Sequence, residues 1–595
     1  MADFRPVLAL TIIATLSLSS SAYVTSIHAP AVIQNRNVGN LTLITLNLTP
    51  GDGLVSVDNN APSVGLDTVA SAQTAAAYAS SFEGARESSY DFNYTISSIA
   101  PDVVDSNVSG PSAGLAFTLL AVAALRHTQL QPNFTVTGTI NSDGSVGLIG
   151  GVYDKVGAAK ADAMRYALVP AAPSGSLEEL LYYISQQTYG LPVAEVANVS
   201  QALPYAFGSA SPSPLSINLT DNYNASAAGY SNITCTSCNS SAFGQLVNAT
   251  FNFTSSLISS ASNNFSSAKN QLSANLRNYR KLASAGYLYT AADFSFLNYI
   301  DAFTLSNAQN YTSSGAAGLL NNVSAYCSSL VPPPLTTQNY EFVIGGELRQ
   351  YWANITISNA QQALASEQST DDIIQSIYTA ASAMGWCKAS SELYSVAPYM
   401  GGSYVEISPS LGSSAATAIN KVRGYGNGLY LQAATQAYNN GDYATALYAT
   451  TYVGAFSSPL PSVSAPRLYS MTLQNLANAT AGTWPSQFAT QSEFYFRQSL
   501  VSSGSAETSY ADQAYTTSVL AASLSSANEA ISNSFIATNQ SGGAAVAQQL
   551  SSIEQNISQI YTLLLVNATL MFVVLVVLLF HMLPHGKARG RQRSA

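Results

Sequence analysis

Ser109-Gly-Pro-Ser-Ala-Gly114 places a serine among small residues at the head of an apolar run. A serine in such a position usually caps a helix, but Ser112 could also serve as a nucleophile. Its hydroxyl is inert at neutral pH until a neighbouring base takes the proton. Of the four histidines, His28 follows an apolar N-terminal segment and His581 and His585 lie near the C-terminus. His127 lies at the far end of the helix expected after Ser112, and roughly 13 residues of helix put it about 20 Å away, beyond hydrogen-bonding reach. Lys155, which ends the passage Gly144-Ser-Val-Gly-Leu-Ile-Gly-Gly-Val-Tyr-Asp-Lys155, is the remaining candidate. A lysine accepts a proton only when neutral, and its ordinary pKa is about 10.4. Lowering that to near 7.5 takes roughly 4 kcal/mol of selective destabilisation of the ammonium, which desolvation in an apolar pocket can supply. Leu148, Ile149 and Val152 are the local apolar material. Backbone N–H groups around Ser112, at the positive end of the following helix, would hold an oxyanion. Gly110, Ala113 and Gly114 would let a substrate backbone approach closely.

The elements around these residues alternate between strand and helix. Leu41 to Leu48 alternates like a strand, and Pro50-Gly-Asp-Gly53 turns it into Leu54 to Val57. The pattern then predicts a helix over 68–82, a strand over 90–99, an apolar helix over 113–125, a strand over 134–140, a helix over 155–164, a strand over 166–169 and a helix from Leu177. This is the pattern of a sheet-and-helix domain over residues 28–207. Residues 208–242 are Ser/Pro/Asn-rich and read as a linker or loop. Residues 243–558 are mostly helical, and the stretch from 500 onward is expected as one long stalk. Ala437 to Ala446 resembles the turn and second helix of a tetratricopeptide unit, without a sustained period.

Both ends carry membrane signals. Arg5, the apolar run from Pro6 to Leu18 and the small residues up to Ala22 read as a signal peptide over residues 1–22, with an uncleaved anchor as the alternative. Residues 560–580 form a nearly unbroken apolar stretch, long enough to cross a hydrocarbon layer of about 30 Å. The basic tail 581–595 places the C-terminus in the cytoplasm and the rest outside, at a cell membrane. About twenty N-x-S/T sequons suit a glycosylated exterior. The expected fold class is therefore a mixed α/β domain, a helical region and one C-terminal transmembrane helix. Cys235 and Cys238 are expected to form a local disulfide or to pair with Cys327 and Cys387. With 9% charged residues and a net charge of −10, no surface offers itself to nucleic acid.

The nucleophile motif has companions in a fixed order: Thr137-Gly-Thr-Ile140, then Gly150-Gly-Val-Tyr-Asp-Lys155, then Ala158-Ala159 and Leu168-Val-Pro170. This set resembles the proteolytic domain of the Lon family of Ser–Lys peptidases, which has a GPSAG nucleophile motif, a TG-containing strand and a GG-x-x-x-K helix start. Thr137 and Lys155 follow Ser112 by 25 and 43 residues, as in that family. Ala70 to Tyr78 resembles the family's SAQAA-like helix. The resemblance spans about a third of the chain. It implies that Thr137 orients Lys155 through a hydrogen bond, that proteins or peptides are the substrates, and that copies assemble as a ring. Two departures stand out. The family commonly has an acidic residue where Ser109 stands, and Asp102 or Asp105 would have to compensate. The chain also has no G-x-x-x-x-G-K-[ST] phosphate loop, so no ATP and no other cofactor is expected.

These readings converge on a membrane-anchored, extracellular, ATP-independent serine endopeptidase with a Ser112–Lys155 dyad. A surface interaction protein with a poorly active Lon-like domain, and a self-cleaving protein cut near residues 209–240, are the alternatives.

Overall fold

A computed structural model describes residues 22–33, 37–59, 64–98, 109–219, 223–233, 240–366, 369–477, 479 and 482–537. The first part is a mixed sheet covered on both faces by helices. Its strands are β1 (Tyr23–Ile33), β2 (Val38–Pro50), β3 (Val55–Asn59), β4 (Tyr90–Ser98), β5 (Thr135–Val136), β8 (Ala167–Pro170) and β9 (Val193–Val196), in the spatial order β3-β4-β2-β1-β5-β8-β9. A separate hairpin joins β6 (Thr139–Ile140) to β7 (Val146–Gly147). The helices are α1 (Leu66–Phe82), α2 (Gly114–Leu125), α3 (Val152–Ala161), α4 (Leu177–Tyr189) and α5 (Val199–Ala206).

Strand alternation separates the two faces. Ile44, Leu46, Leu48, Phe92 and Leu168 point into one core, with Ala72, Ala75 and Ala76 of α1 and nearly all of α2. Leu41, Ala167, Val169 and Val193 point into the other, with Val152, Val156 and Ala159 of α3 and Tyr182 of α4. Every residue of α2 from Gly114 to Ala124 is buried, as expected of a helix that is apolar all round. The sheet begins at Tyr23, because β1 pairs antiparallel with β2 from Tyr23↔Leu48 to Ile33↔Val38. The expected single strand over 134–140 is two short ones, interrupted at Thr137 and Gly138.

The second part is helical, from Ser240–Ser260 to Ser505–Ser532. Its core also takes in Leu180, Tyr183 and Ile184 of α4, and Ile217 and Leu219 of the Ser/Pro-rich loop. That loop is held by side chains on both sides: Leu215 N–H donates to Gln186 at 2.7 Å, and Gln271 donates to the Ile217 carbonyl at 2.6 Å. The tetratricopeptide-like passage is the turn between helices Leu429–Asn440 and Tyr443–Phe456. Cys327 and Cys387 are bonded to each other, which rules out their pairing with Cys235 and Cys238. The latter two lie outside the described residues.

Three expectations are corrected. Among the described residues there is no long stalk: the last described helix ends at Ser532, packs on Thr483–Val501, and is followed by a strand, Phe535–Ala537, paired with Val405–Ile407. The fold class is corrected to a mixed α/β domain followed by a helical region, and the C-terminal transmembrane helix with the single-pass membrane localisation built on it is not supported. Among the described residues no helix is long and apolar enough to cross a membrane. Tyr340–Ala365, for example, is long but carries Glu341, Glu347 and Arg349 among its apolar residues, and those apolar residues pack on other helices. Residues 560–580, the tail 581–595 and the apolar segment at 1–21 lie outside the described residues.

Candidate active site

Ser112 sits on a single helical turn, Pro111–Ala113, that leads into α2. The preceding Gly110 has φ +111°, a conformation that favours glycine. Four bonds fix this turn. Thr68 Oγ1 donates to the Gly110 carbonyl at 3.1 Å and Ser71 Oγ to the Pro111 carbonyl at 3.2 Å, so α1 holds one side. On the other side, Gly138 N–H and Thr137 Oγ1 donate to the Ser112 carbonyl at 2.8 Å and 3.2 Å. The break between β5 and β6 serves this contact, since the chain leaves the sheet at Thr137-Gly138 to meet the turn. Gly114 is required for space: a Cβ there would stand 2.7 Å from Ser71 Oγ and 2.8 Å from the Ile140 backbone nitrogen.

Lys155 lies in the first turn of α3, which begins at Val152. Gly151, with φ +71°, precedes the helix. The lysine is only 5% exposed, and its Nζ donates to Thr137 Oγ1 at 3.4 Å. Thr137 is itself 2% exposed. Burial pulls the lysine down to about 8, against the opposing charge of Asp371. Of the three apolar residues expected to line its pocket, Val152 is buried and Ile149 partly so, whereas Leu148 is 43% exposed. Ser112 Oγ and Lys155 Nζ are not hydrogen-bonded to one another in this structure. The structure thus brings Ser112, Thr137 and Lys155 to one place, with Gly110, Ala113 and Gly114 forming the turn around the serine.

Two neighbours of this group escaped the sequence reading. Asp67, at the start of α1, accepts from Ser109 Oγ at 3.3 Å. Burial pushes its carboxyl up, but bonds from the Gly110 and Thr68 N–H groups and from Ser109 outweigh this and hold it below the usual range. An acidic group therefore stands next to position 109 after all, supplied by another helix; Asp102 and Asp105 lie outside the described residues. The second neighbour is Asp371, from the helical region. No local pattern marks either residue, because each meets the site through the tertiary fold. His127 adjoins Tyr23, with ring centroids 5.2 Å apart, beyond the end of α2. Among the described residues, no group of three or more His, Cys, Asp or Glu could hold a metal ion. A cavity of about 990 Å³ lies in the helical region and is lined by Trp352, Trp386 and Trp484, with no wall from the sheet domain.

Residues 35–207 match the family of the Lon protease (S16) C-terminal proteolytic domain. The Lon protease of Buchnera aphidicola subsp. Schizaphis graminum is 33% identical over 97 residues, 16% of this chain and 12% of the relative. The Lon protease of Ureaplasma parvum serovar 3 is 36% identical over 75 residues, 13% of this chain and 10% of the relative. The archaeal Lon protease of Methanocaldococcus jannaschii is 29% identical over 102 residues, 17% of this chain and 14% of the relative. The sheet domain is thus of the serine-type peptidase class. The proteins that share it are Lon proteases, and this chain spans only about an eighth of the length of the curated relatives it matches.

Proposed function

We propose that this protein is an ATP-independent serine endopeptidase in which Ser112 is the nucleophile and Lys155 its base. The observation that carries the reading is a buried lysine whose ammonium donates to the Thr137 hydroxyl, itself bonded to the Ser112 carbonyl. A lysine at about 8 is partly neutral near physiological pH. One of its hydrogens can stay on Thr137 while its lone pair faces the serine.

The reaction then runs in two halves. Lys155 Nζ takes the Ser112 Oγ proton as Oγ bonds to the substrate carbonyl carbon. The resulting ammonium gives that proton to the leaving amine nitrogen as the C–N bond breaks, leaving an acyl-enzyme. A water attacks the ester carbon, its proton passing to Lys155 and then to Ser112 Oγ as the acyl C–Oγ bond breaks and the carboxylic acid leaves. The N–H groups of Ser112 and Ala113 open a helical turn, where no earlier carbonyl of that turn reaches them, and are placed to meet the oxyanion. Substrates are unfolded chains, exposed loops or flexible termini of proteins.

The absence of a direct Ser112–Lys155 bond favours a second reading, an interaction protein whose peptidase domain is poorly active. One experiment separates the two. A serine-reactive probe on the full chain should label Ser112, and Ser112→Ala should abolish both labelling and peptide hydrolysis. A wild-type chain that neither labels nor hydrolyses unfolded substrates would defeat the peptidase reading.

A further inference from the structure

The helix that carries Lys155 does not end within its own domain. Asp371 Oδ2 accepts the Val152 N–H at 2.7 Å, and its Oδ1 accepts the Tyr153 N–H at 2.8 Å. These are the first two amides of α3, which have no intrahelical acceptor. Asp371 lies in the first turn of the Thr370–Val396 helix. The exchange is reciprocal: Asp154, one residue before the lysine, accepts the Thr370 N–H at 2.8 Å and the Thr370 hydroxyl at 2.6 Å. Each helix therefore supplies a carboxylate to the N-terminus of the other. Both carboxylates are buried, Asp371 at 8% and Asp154 at 5% exposure.

We propose that the helical region completes the proteolytic site, with Asp371 as a positioning residue for Lys155 that fixes the first turn of its helix and lends it a negative charge. The inference rests on the Ser112–Lys155 reading. Holding two helices together would not by itself call for this chemistry. A neutral Ser or Asn caps a helix as well as Asp does, and two buried carboxylates side by side repel one another, as Asp154 does Asp371. A nearby cation offsets that cost, and Lys155 favours the Asp371 carboxylate.

The two contributions act on the lysine in opposite senses. Burial strips water from the amine and favours its neutral form, while the Asp371 charge favours the ammonium. The titratable groups around this contact are Asp371 and Asp372 on the Thr370–Val396 helix, Asp154 and Tyr153 on α3, and Tyr182 and Tyr189 on α4. Of these, Asp371 is the charge that acts on Lys155. Removing it should lower the pH at which the amine becomes free.

The test is the pH profile of kcat/KM for the full chain with an unfolded peptide substrate, whose acid limb reports the base of the free enzyme. Asp371→Asn should move that limb to lower pH by about half a unit or more. Asp154→Asn weakens the same contact without removing the charge that acts on Lys155, and should leave the limb in place. Should Asp371→Asn fail to fold, Asp371→Ser restores a neutral acceptor and carries the same expectation. Equal shifts in the Asp371 and Asp154 variants, or a limb that stays put in Asp371→Asn, would overturn the inference while leaving the dyad intact. A wild-type chain without Ser112-dependent hydrolysis would overturn the dyad, and this inference with it.

Discussion

Lys155 reaches the turn of the nucleophile through Thr137. Its Nζ donates to Thr137 Oγ1 at 3.4 Å, and that hydroxyl donates in turn to the Ser112 carbonyl at 3.2 Å. The base and the nucleophile are thus referenced to one side chain, whose own backbone N–H is fixed to Leu168 at 3.0 Å. Movement of the lysine relative to the serine requires that this short chain of bonds be broken.

Thr137→Val tests that relay, because valine keeps the branched shape and removes only the hydroxyl. The hydrogen bonds lost should cost about 1 kcal/mol of stability, a small change in unfolding midpoint. Misplacement of the base should cost more in rate, lowering kcat by roughly 10- to 100-fold. A Thr137→Val chain with wild-type kcat would show that the lysine finds its place without the threonine.

Ser112→Ala and Lys155→Ala should each abolish hydrolysis while leaving the chain folded. Because nucleophile and base act as a unit, the double variant should match either single one. Retention of more than about a tenth of the activity in Lys155→Ala, under roughly 1.4 kcal/mol of barrier, would mean that another group takes the proton.

The pH dependence has a definite sign. Activity requires neutral Lys155, so kcat/KM should rise with pH and level off above about 8, the value to which burial brings the amine. Stability should move in the same direction. The amine titrates at about 8 when folded and near 10.4 when unfolded, so the unfolded chain holds the extra proton between those values. Between roughly pH 8 and 10.4 the group's contribution to folding should therefore improve with pH, by about 3 kcal/mol in all. Lys155→Met should flatten that part of the stability curve. An unchanged slope in Lys155→Met would assign it to other groups.

The sequence and the fold agree best where the information is local. Ser112, Thr137 and Lys155 were legible because each lies in a short motif of small or polar residues next to an apolar run. The strands flanking α2 were legible through alternation, and α2 itself through its unbroken apolarity. The start of α3 was placed three residues late, since Gly150-Gly151 rather than the lysine opens it. Strand β1 was missed in part because it adjoins the apolar N-terminal segment and contains Pro30. Asp67 and Asp371 were invisible for a different reason: they approach the site from 42 residues before Ser109 and from 218–219 residues beyond the α3 amides. No period or motif encodes such a meeting. The sequence reading of residues 500 onward as a stalk failed over their described part because Ser/Thr/Ala-rich helices look alike whether they stand alone or pack together. In Ser505–Ser532 it is Ala511, Ala514, Leu520 and Leu524 that bury.

Gly114→Ala probes how tightly the nucleophile turn is held. The added methyl would meet Ser71 Oγ at 2.7 Å and the Ile140 backbone at 2.8 Å, and backbone cannot step aside as a flexible side chain can. Overpacking of this kind costs about 1–3 kcal/mol and should push the turn that carries Ser112. We expect a lower unfolding midpoint together with a loss of kcat. Gly84→Ala is an exposed-turn control, since nothing lies within 4 Å of the added carbon; its positive φ of +66° leaves only the backbone cost. Equal activity in Gly114→Ala and wild type would show that α1 and β6 can part without disturbing Ser112.

The disulfide bears on the same site from a distance. Cys387 lies on the Thr370–Val396 helix, the one that begins with Asp371, and its bond to Cys327 ties that helix to Ser313–Ser328. Closing a loop of 60 residues should stabilise the fold by about 4 kcal/mol through the unfolded chain. Replacing both cysteines with alanine should therefore lower the denaturant midpoint clearly. The start of the helix has its own supports, however: the Ser369–Asp372 capping box and the buried Ile373, Ile374 and Ile377. Wherever the double variant remains folded, the acid limb of the pH profile should consequently stay where it is. An acid limb displaced in the folded double variant would mean that the crosslink, rather than this local packing, holds Asp371 against the lysine helix.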